Sequence, residues 1–506
     1  MNFKAAFIAG LAWAALPHLA SAQTVQTSSG VVRGATSDGV ESYRGIPYAA
    51  APVGDLRWTP PQPAPVWKGV RDAAKYQPMC SQPPFDDAPI TQPMSEDCLF
   101  LNIWSAPQAD SGKKPVMVFI HGGAYEGGSG SDPLYDGSNL AKKGVVAVTI
   151  NYRLGTLGFL AHPALSAASP QHASGNYGML DQIAALQWVQ RNIGAFGGDP
   201  AQVTIFGESA GANAVMMLMA SPLAEGLFSK VIAQSPVGGY RIPTLAEAEA
   251  MGAKLGSIED LRARPAEKLL AFNLKLRPRT PPLAPMTLPG PVLDNHFLTQ
   301  QPARSLANPV PLIIGSNADE GSMFAPETTA RTKAAFDLGV KQVFGPLAPE
   351  ALALYSPKSD AEVMKQNAEL VSDGLFNAAA RYLAAQVAAA GQPVYRYVFS
   401  LDMAGRAPLH SDELRYVFGT THLPGYTGLP AADDQDRKTS ELMMDAWVRF
   451  AKTGSPAGGG LKWPAVTGSK GAPILDINAT PRVLTGYRDS LLDLIDKLHA
   501  GPIADQ

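Results

Sequence analysis

The chain has 506 residues, 17% of them charged, and a net charge of −3; no block of like charge stands out, so neither nucleic acid nor an anionic membrane surface is indicated as a partner. That length exceeds one small core but suits a large mixed α/β domain carrying insertions. Its two cysteines, with no histidine cluster beside them, cannot build an ordinary zinc site.

The opening stretch, "MNFKAAFIAGLAWAALPHLASAQ", combines Lys4, an apolar run over residues 5–16 and the small-x-small form of Ala20-Ser21-Ala22. This is the pattern of a signal peptide over residues 1–22, leaving a single domain over 23–506. The apolar run is shorter than the ~20 residues a bilayer requires, so a stable membrane anchor is not expected. Export to the periplasm or the medium is expected, the short alanine-rich leader having a bacterial form. In an oxidising compartment Cys80 and Cys98 are expected to form one disulfide, whose loop is worth about 3 kcal/mol in the chain-entropy picture.

Further along, "KPVMVFIHGG" and "GVVAVTINYR" hold continuous apolar runs at 116–120 and 145–152, the signature of strands buried on both faces. Met179, Ile183, Leu186 and Val189 then recur at helical spacing over 176–193, and "GAFGGDP" stops that helix. "QVTIF" reads as a strand, 210–220 as a helix and "KVIAQS" as a strand. The proline density of 278–291 excludes regular helix or central strand and suggests a cap-like excursion. "VPLIIGSN" and "PVYRYVFS" are further strands, and a helix at 440–452 is followed by the loop "GSPAGGG" at 454–460. Strand and helix alternate, which predicts a mostly parallel sheet flanked by helices.

"TIFGESAGAN" carries the chemistry. Gly207-Glu208-Ser209-Ala210-Gly211 fits G-x-S-x-G between a strand and a small-residue helix, the turn that lifts a serine hydroxyl above the carboxyl ends of parallel strands. A serine needs an imidazole as general base and a carboxylate to orient it. Of the eight histidines, His18 leaves with the leader, His162 and His172 read as solvated loop residues, and His296 precedes the expected acid. His410 follows a strand and a loop long enough to return over the catalytic edge; His422 remains open on chemistry, while His499 lies in a helix-like C-terminal segment. "PLIIGSNADEGS" offers Asp319 and Glu320 equally as the acid. His121 opens "HGGAY", where the N–H groups of Gly122 and Gly123, joined by that of Ala210, suit an oxyanion hole.

Taken in order, "YRGIPYAAAPVGDLRW", "SEDCLFLNIW", "VFIHGGAY", "NYRLGTLGFL", "GNYGMLDQIAALQWVQRNIGAFGGDPAQVTIFGESAGA", "GSNADEG" and "HSDELRYVFG" run from Tyr43 to Gly419, within a likeness that extends from about Val31 to Trp463. In these motifs the chain resembles the type B carboxylesterases of the α/β-hydrolase fold, a family that includes cholinesterases and bacterial p-nitrobenzyl esterases. The resemblance implies Glu320 as the acid, His410 as the base and pairing of Cys80 with Cys98. It also implies that Glu208 shapes the field around the imidazolium and that Ser235 supports the acid, although proline follows Ser235 where glycine is usual. Cholinesterases are similar but carry a tryptophan in the first disulfide loop; "SQPPFDDAPITQPMSED" has none, so a choline ester is not expected. In the region matching the acyl pocket, Met286 and Leu288 stand in place of aromatics, implying room for flexible or bulkier acyl groups. Tyr125, opening the glycine-rich 125–137, is expected at the entrance. The expectation is a serine carboxylesterase acting on a small-molecule ester through an acyl-enzyme, without metal or organic cofactor. A lipase, amidase or acyltransferase would use the same residues. A non-catalytic binding module of this fold lacks the nucleophile, which Ser209 supplies here.

Overall fold

Strands buried on both faces must satisfy two cores at once, and alternate residues do so here. The computed structural model describes residues 20–83, 92–107, 112–238, 241–272, 290–302, 306–325, 330–466 and 471–499. In chain order the main strands are β1 Ala20–Gln26, β2 Val31–Ser37, β3 Val40–Pro47, β4 Phe100–Ser105, β5 Lys114–Ile120 and β6 Val146–Ile150. They continue with β7 Gly198–Glu208, β8 Lys230–Gln234, β9 Leu312–Asn317, β10 Val394–Phe399, β11 Ile474–Ile477 and β12 Arg482–Leu484. Side by side they run β1-β2-β3-β4-β6-β5-β7-β8-β9-β10-β11-β12, and Val70–Asp72 pairs with β2. Every neighbouring pair from β6 to β11 is parallel. The pairs at both margins are antiparallel.

On one face, Val116, Val118 and Ile120 of β5 join Val203 and Ile205 of β7, Val231 and Ala233 of β8, and Leu312 and Ile314 of β9. Helix α1 Tyr177–Asn192 covers that face through Met179, Ile183, Leu186 and Val189, and α2 Ala210–Ala220 is buried against it almost all round. The intervening residues Met117, Phe119, Phe206, Ile232 and Ile313 point the other way, toward Met443, Trp447 and Phe450 of α3 Asp434–Thr453. Burial of both faces is the reason the strands read as unbroken apolar runs and not as alternating ones.

Helix α3 begins six residues before the expected 440. Its first turns are polar and exposed, so apolar periodicity does not mark them; a capping box of Asp433 and Asp436 does. It ends at Gly454, φ 79°. His162 is a second correction. It is a buried N-cap with Nδ1 accepting from the Ala164 N–H at 3.2 Å and Nε2 donating to the Gly256 carbonyl at 3.2 Å, whereas His172 is exposed as expected. Strand β1 starts within the expected leader, but its pairs Thr24–Arg33, Val25–Val32 and Gln26–Val31 lie beyond the expected cleavage point. Cys80 and Cys98 form a disulfide closing a sequence separation of 18. Among the described residues no helix is long and apolar enough to cross a membrane.

Candidate active site

Ser209 sits where β7 ends and α2 begins, at φ 57° and ψ −123°, a conformation L-residues adopt only under strain of about 1–3 kcal/mol. Its N–H is held by the Gln234 carbonyl of β8 at 2.9 Å. The flanking glycines are required by proximity: a Cβ on Gly207 would lie 2.4 Å from the Gly211 backbone, and one on Gly211 would lie 2.0 Å from the Ile120 carbonyl oxygen. The chain therefore packs backbone on backbone at this point, leaving the serine as the residue that faces outward.

The next two strands bring the acid and the imidazole. Glu320, just beyond β9, is fully buried, and its Oε2 lies 2.6 Å from His410 Nδ1. Its Oε1 accepts from Ser235 Oγ at 2.5 Å and from the Asn317 N–H at 2.6 Å. Asp319 turns away to accept from Ser322 Oγ at 2.7 Å and from the Ser322 N–H. Two adjacent carboxylates thus separate by which side of the tight turn after β9 they occupy. Proline at 236 does not prevent Ser235 from reaching the acid, because Ser235 takes φ 53° with its N–H bonded to the Gly315 carbonyl at 2.7 Å. His422 is exposed, His296 is half-buried, and neither approaches this cluster; the side chain of His499 lies outside the described residues.

His410 stands between carboxylates. Its Nε2 is 3.1 Å from Glu208 Oε1, which also accepts from Ser411 Oγ at 2.7 Å. Among the described residues Ser209 Oγ has no hydrogen-bond partner. Burial alone would lower the imidazole's proton affinity, but Glu208 and then Glu320 outweigh it and push the His410 pKa up to about 9. Burial in turn raises the carboxyl of Glu208. Glu208 is therefore an electrostatic neighbour of the imidazole as well as a residue at the head of a helix.

Three residues of this cluster escape the sequence reading. Glu413 is fully buried, accepts from Gln234 Nε2 at 3.0 Å and Asn317 Nδ2 at 2.7 Å, and has its pKa pushed up to about 8 by burial and by Glu208 and Glu320. A carboxylate leading into the apolar "LRYVF", one helical turn after His410, was the signal available for it. Phe376 and Phe324 flank the imidazole with ring centroids 5.0 and 5.2 Å away; nothing in their local sequence marks them. Phe376 belongs to the π-helical segment Ser372–Asn377, whose extra residue per turn re-aims that ring.

Gly122 and Gly123 follow β5 directly. A Cβ on Gly122 would come within 3.1 Å of Ser209 Cβ, and Gly123 takes φ 98° with the Gly127 carbonyl oxygen 2.3 Å from where a Cβ would stand. The Gly122 backbone thus lies against the serine, which Ala210 follows directly at the start of α2. Tyr125 is 5% exposed, with its ring against Phe159 at 5.2 Å. Met286 and Leu288 lie outside the described residues.

A serine on a strained strand-to-helix turn, with an imidazole and its carboxylate returned by later parallel strands, defines a hydrolase of the α/β-hydrolase fold. Comparison with known proteins narrows that class. The Carboxylesterase family matches residues 21–494, and the chain belongs to it. Over 451 residues it is 43% identical to the fumonisin B1 esterase of Sphingopyxis macrogoltabida, covering 87% of this chain and 83% of that one. It is 39% identical over 472 residues to the para-nitrobenzyl esterase of Bacillus subtilis strain 168, covering 88% and 92%. The solved carboxylesterase of Geobacillus stearothermophilus superposes with a TM-score of 0.82 at 36% identity, over 93% of this chain and 99% of that one. The protein is a carboxylic-ester hydrolase.

Proposed function

We propose that hydrolysis proceeds through an acyl-enzyme on Ser209. The observation that carries this reading is the Glu320–His410 bond of 2.6 Å beside a serine forced into a left-handed turn. For attack, His410 Nε2 leaves Glu208 and meets the hydroxyl of the adjacent residue, Ser209. It takes the Oγ proton as Oγ bonds to the ester carbonyl carbon. The carbonyl oxygen becomes an oxyanion among the N–H groups of Gly122, Gly123 and Ala210. The C–O bond to the alcohol then breaks, and His410 returns its proton to the departing alkoxide. Water repeats the sequence on the acyl-enzyme, releasing the acid and Ser209. Glu320, held by Ser235 and Asn317, keeps the Nδ1 proton in place throughout.

The substrate is a small-molecule carboxylic ester with an acyl part larger than acetyl. Supporting this are Met286 and Leu288 in the segment that resembles an acyl pocket, and a relative named fumonisin B1 esterase. The protein is exported and processed near Gln23, a reading supported by the leader pattern and by the Cys80–Cys98 disulfide. The test is kcat/KM for p-nitrophenyl esters of rising acyl length, with Ser209→Ala run beside it. A Ser209-dependent optimum beyond acetyl is expected; equal activity in Ser209→Ala would overturn the mechanism.

A further inference from the structure

His121 is not needed as a base, yet it is 1% exposed at the mouth of the sheet, where a polar ring is costly to bury. Its Nδ1 lies 2.8 Å from the Gly122 carbonyl oxygen. A carbonyl can only accept, so Nδ1 carries the hydrogen. Nε2 is buried and has no partner among the described residues. The ring stacks on Tyr152, centroids 4.4 Å apart and planes 18° apart, and the Tyr152 hydroxyl donates to the His121 carbonyl at 2.9 Å. Gly128 leaves room for this arrangement: a Cβ there would stand 2.4 Å from His121 Nδ1 and 2.7 Å from the Gly122 carbonyl oxygen.

These two bonds act on consecutive peptide units. In a trans peptide the C=O and N–H point in opposite directions, and the described chain has no cis bond. Pinning the His121 carbonyl with the Tyr152 hydroxyl therefore fixes the direction of the Gly122 N–H. Pinning the Gly122 carbonyl with His121 Nδ1 likewise fixes the direction of the Gly123 N–H. Glycine has the widest backbone freedom of any residue, so two successive glycines would otherwise sample many orientations. An oxyanion hole gains its advantage from donors already aimed before charge develops. The structure assigns His121 and Tyr152 as the positioning pair of the oxyanion hole, each holding one peptide carbonyl so that the opposite N–H faces the substrate oxygen.

This inference rests on the Ser209 acyl-enzyme reading, and its test separates the two. Tyr152→Phe keeps the stacked ring and removes only the hydroxyl. His121→Phe keeps a stacking ring and removes the donor, whereas His121→Asn places an amide N–H at the same distance along the side chain as Nδ1. Each is assayed for kcat and KM on a p-nitrophenyl ester. Each is also assayed for inhibition by a trifluoromethyl ketone, which adds Ser209 to form an oxyanion, and by the matching non-fluorinated ketone. Tyr152→Phe and His121→Phe are expected to lower kcat by about 10- to 100-fold, less than or equal to the loss of a whole donor. KM and the binding of the plain ketone should stay near wild type, trifluoromethyl ketone affinity should fall by a factor matching kcat, and His121→Asn should recover most of both. Wild-type kcat in folded Tyr152→Phe and His121→Phe would overturn the assignment, as would a loss that His121→Asn does not restore or one carried by KM. Where circular dichroism shows His121→Phe unfolded, Tyr152→Phe decides by the same criteria. A wild-type enzyme whose activity survives in Ser209→Ala would instead overturn the acyl-enzyme reading itself.

Discussion

Replacing Glu208 by glutamine removes a charge from beside the imidazole while keeping the shape of the side chain and an acceptor for Ser411. At 3.1 Å and an effective dielectric of ~20, a fully ionised pair would be worth about 5 kcal/mol, or about four pH units in the proton affinity of His410. That is a ceiling, because burial works against the charged form of both groups, raising the carboxyl of Glu208 and lowering the proton affinity of His410. Burial lowers the affinity of His410, and Glu208 and Glu320 together lift it to about 9. Loss of the Glu208 share should therefore bring it down by about one to two pH units. The sign follows from the role proposed for the group: with unprotonated His410 as the base, a lower pKa makes the base available at lower pH. The acid limb of kcat/KM should move toward lower pH, while the plateau falls because the imidazolium formed at the transition state has lost a stabilising neighbour. The assay is a pH profile of kcat/KM for a p-nitrophenyl ester, with background hydrolysis subtracted through Ser209→Ala. An acid limb that stays in place or moves upward in a folded Glu208→Gln protein would refute the electrostatic reasoning.

Other consequences concern the framework that holds the site. Arg153 and Asp181 are both buried and share two side-chain hydrogen bonds of 2.8 and 2.7 Å, with a third from the Arg153 N–H at 3.0 Å; Asp181→Ala should cost about 3–5 kcal/mol by leaving an uncompensated charge, read as a lowered denaturation midpoint. An unchanged midpoint would contradict the buried pair. Replacing Cys80 and Cys98 together by serine opens a loop of sequence separation 18 and should lose about 3 kcal/mol of stability with turnover retained below the unfolding transition; undiminished stability under chemical denaturation would contradict it. Gly211→Ala would place a methyl 2.0 Å from the Ile120 carbonyl oxygen, so it should displace the serine turn and abolish most esterase turnover. Wild-type kcat in that variant would show that the backbones do not approach as described.

How much of this was legible in the sequence depended on how local the determining force was. Gly207 and Gly211 mark a place where backbones touch, a requirement that only glycine meets, so the serine turn was readable from five residues. The central strands were readable because burial on both faces keeps them mainly apolar, with only scattered polar residues such as Thr149, Thr204 and Arg396. The antiparallel margin, β1 to β4, was not assigned as strands: much of β2 and β3 mixes buried with part-exposed positions and gives no continuous run. Asp319 and Glu320 were inseparable from the residues alone, since the choice is made by the turn after β9 and by Ser235, which is distant in sequence. Phe324 and Phe376 reach His410 only through tertiary packing, and no local pattern announces such partners. The buried His162 was misread for the same reason: its neighbour Gly256 lies 94 residues away along the chain.

The central claim is covalent attachment of the acyl group to Ser209. The direct measurement is acid quenching of the enzyme during turnover of a p-nitrophenyl ester, followed by peptide mass analysis. The account predicts an added acyl mass on the peptide containing Ser209, absent from the Ser209→Ala protein, which should also have lost turnover. An acyl group found on another residue, or turnover persisting without Ser209, would contradict it.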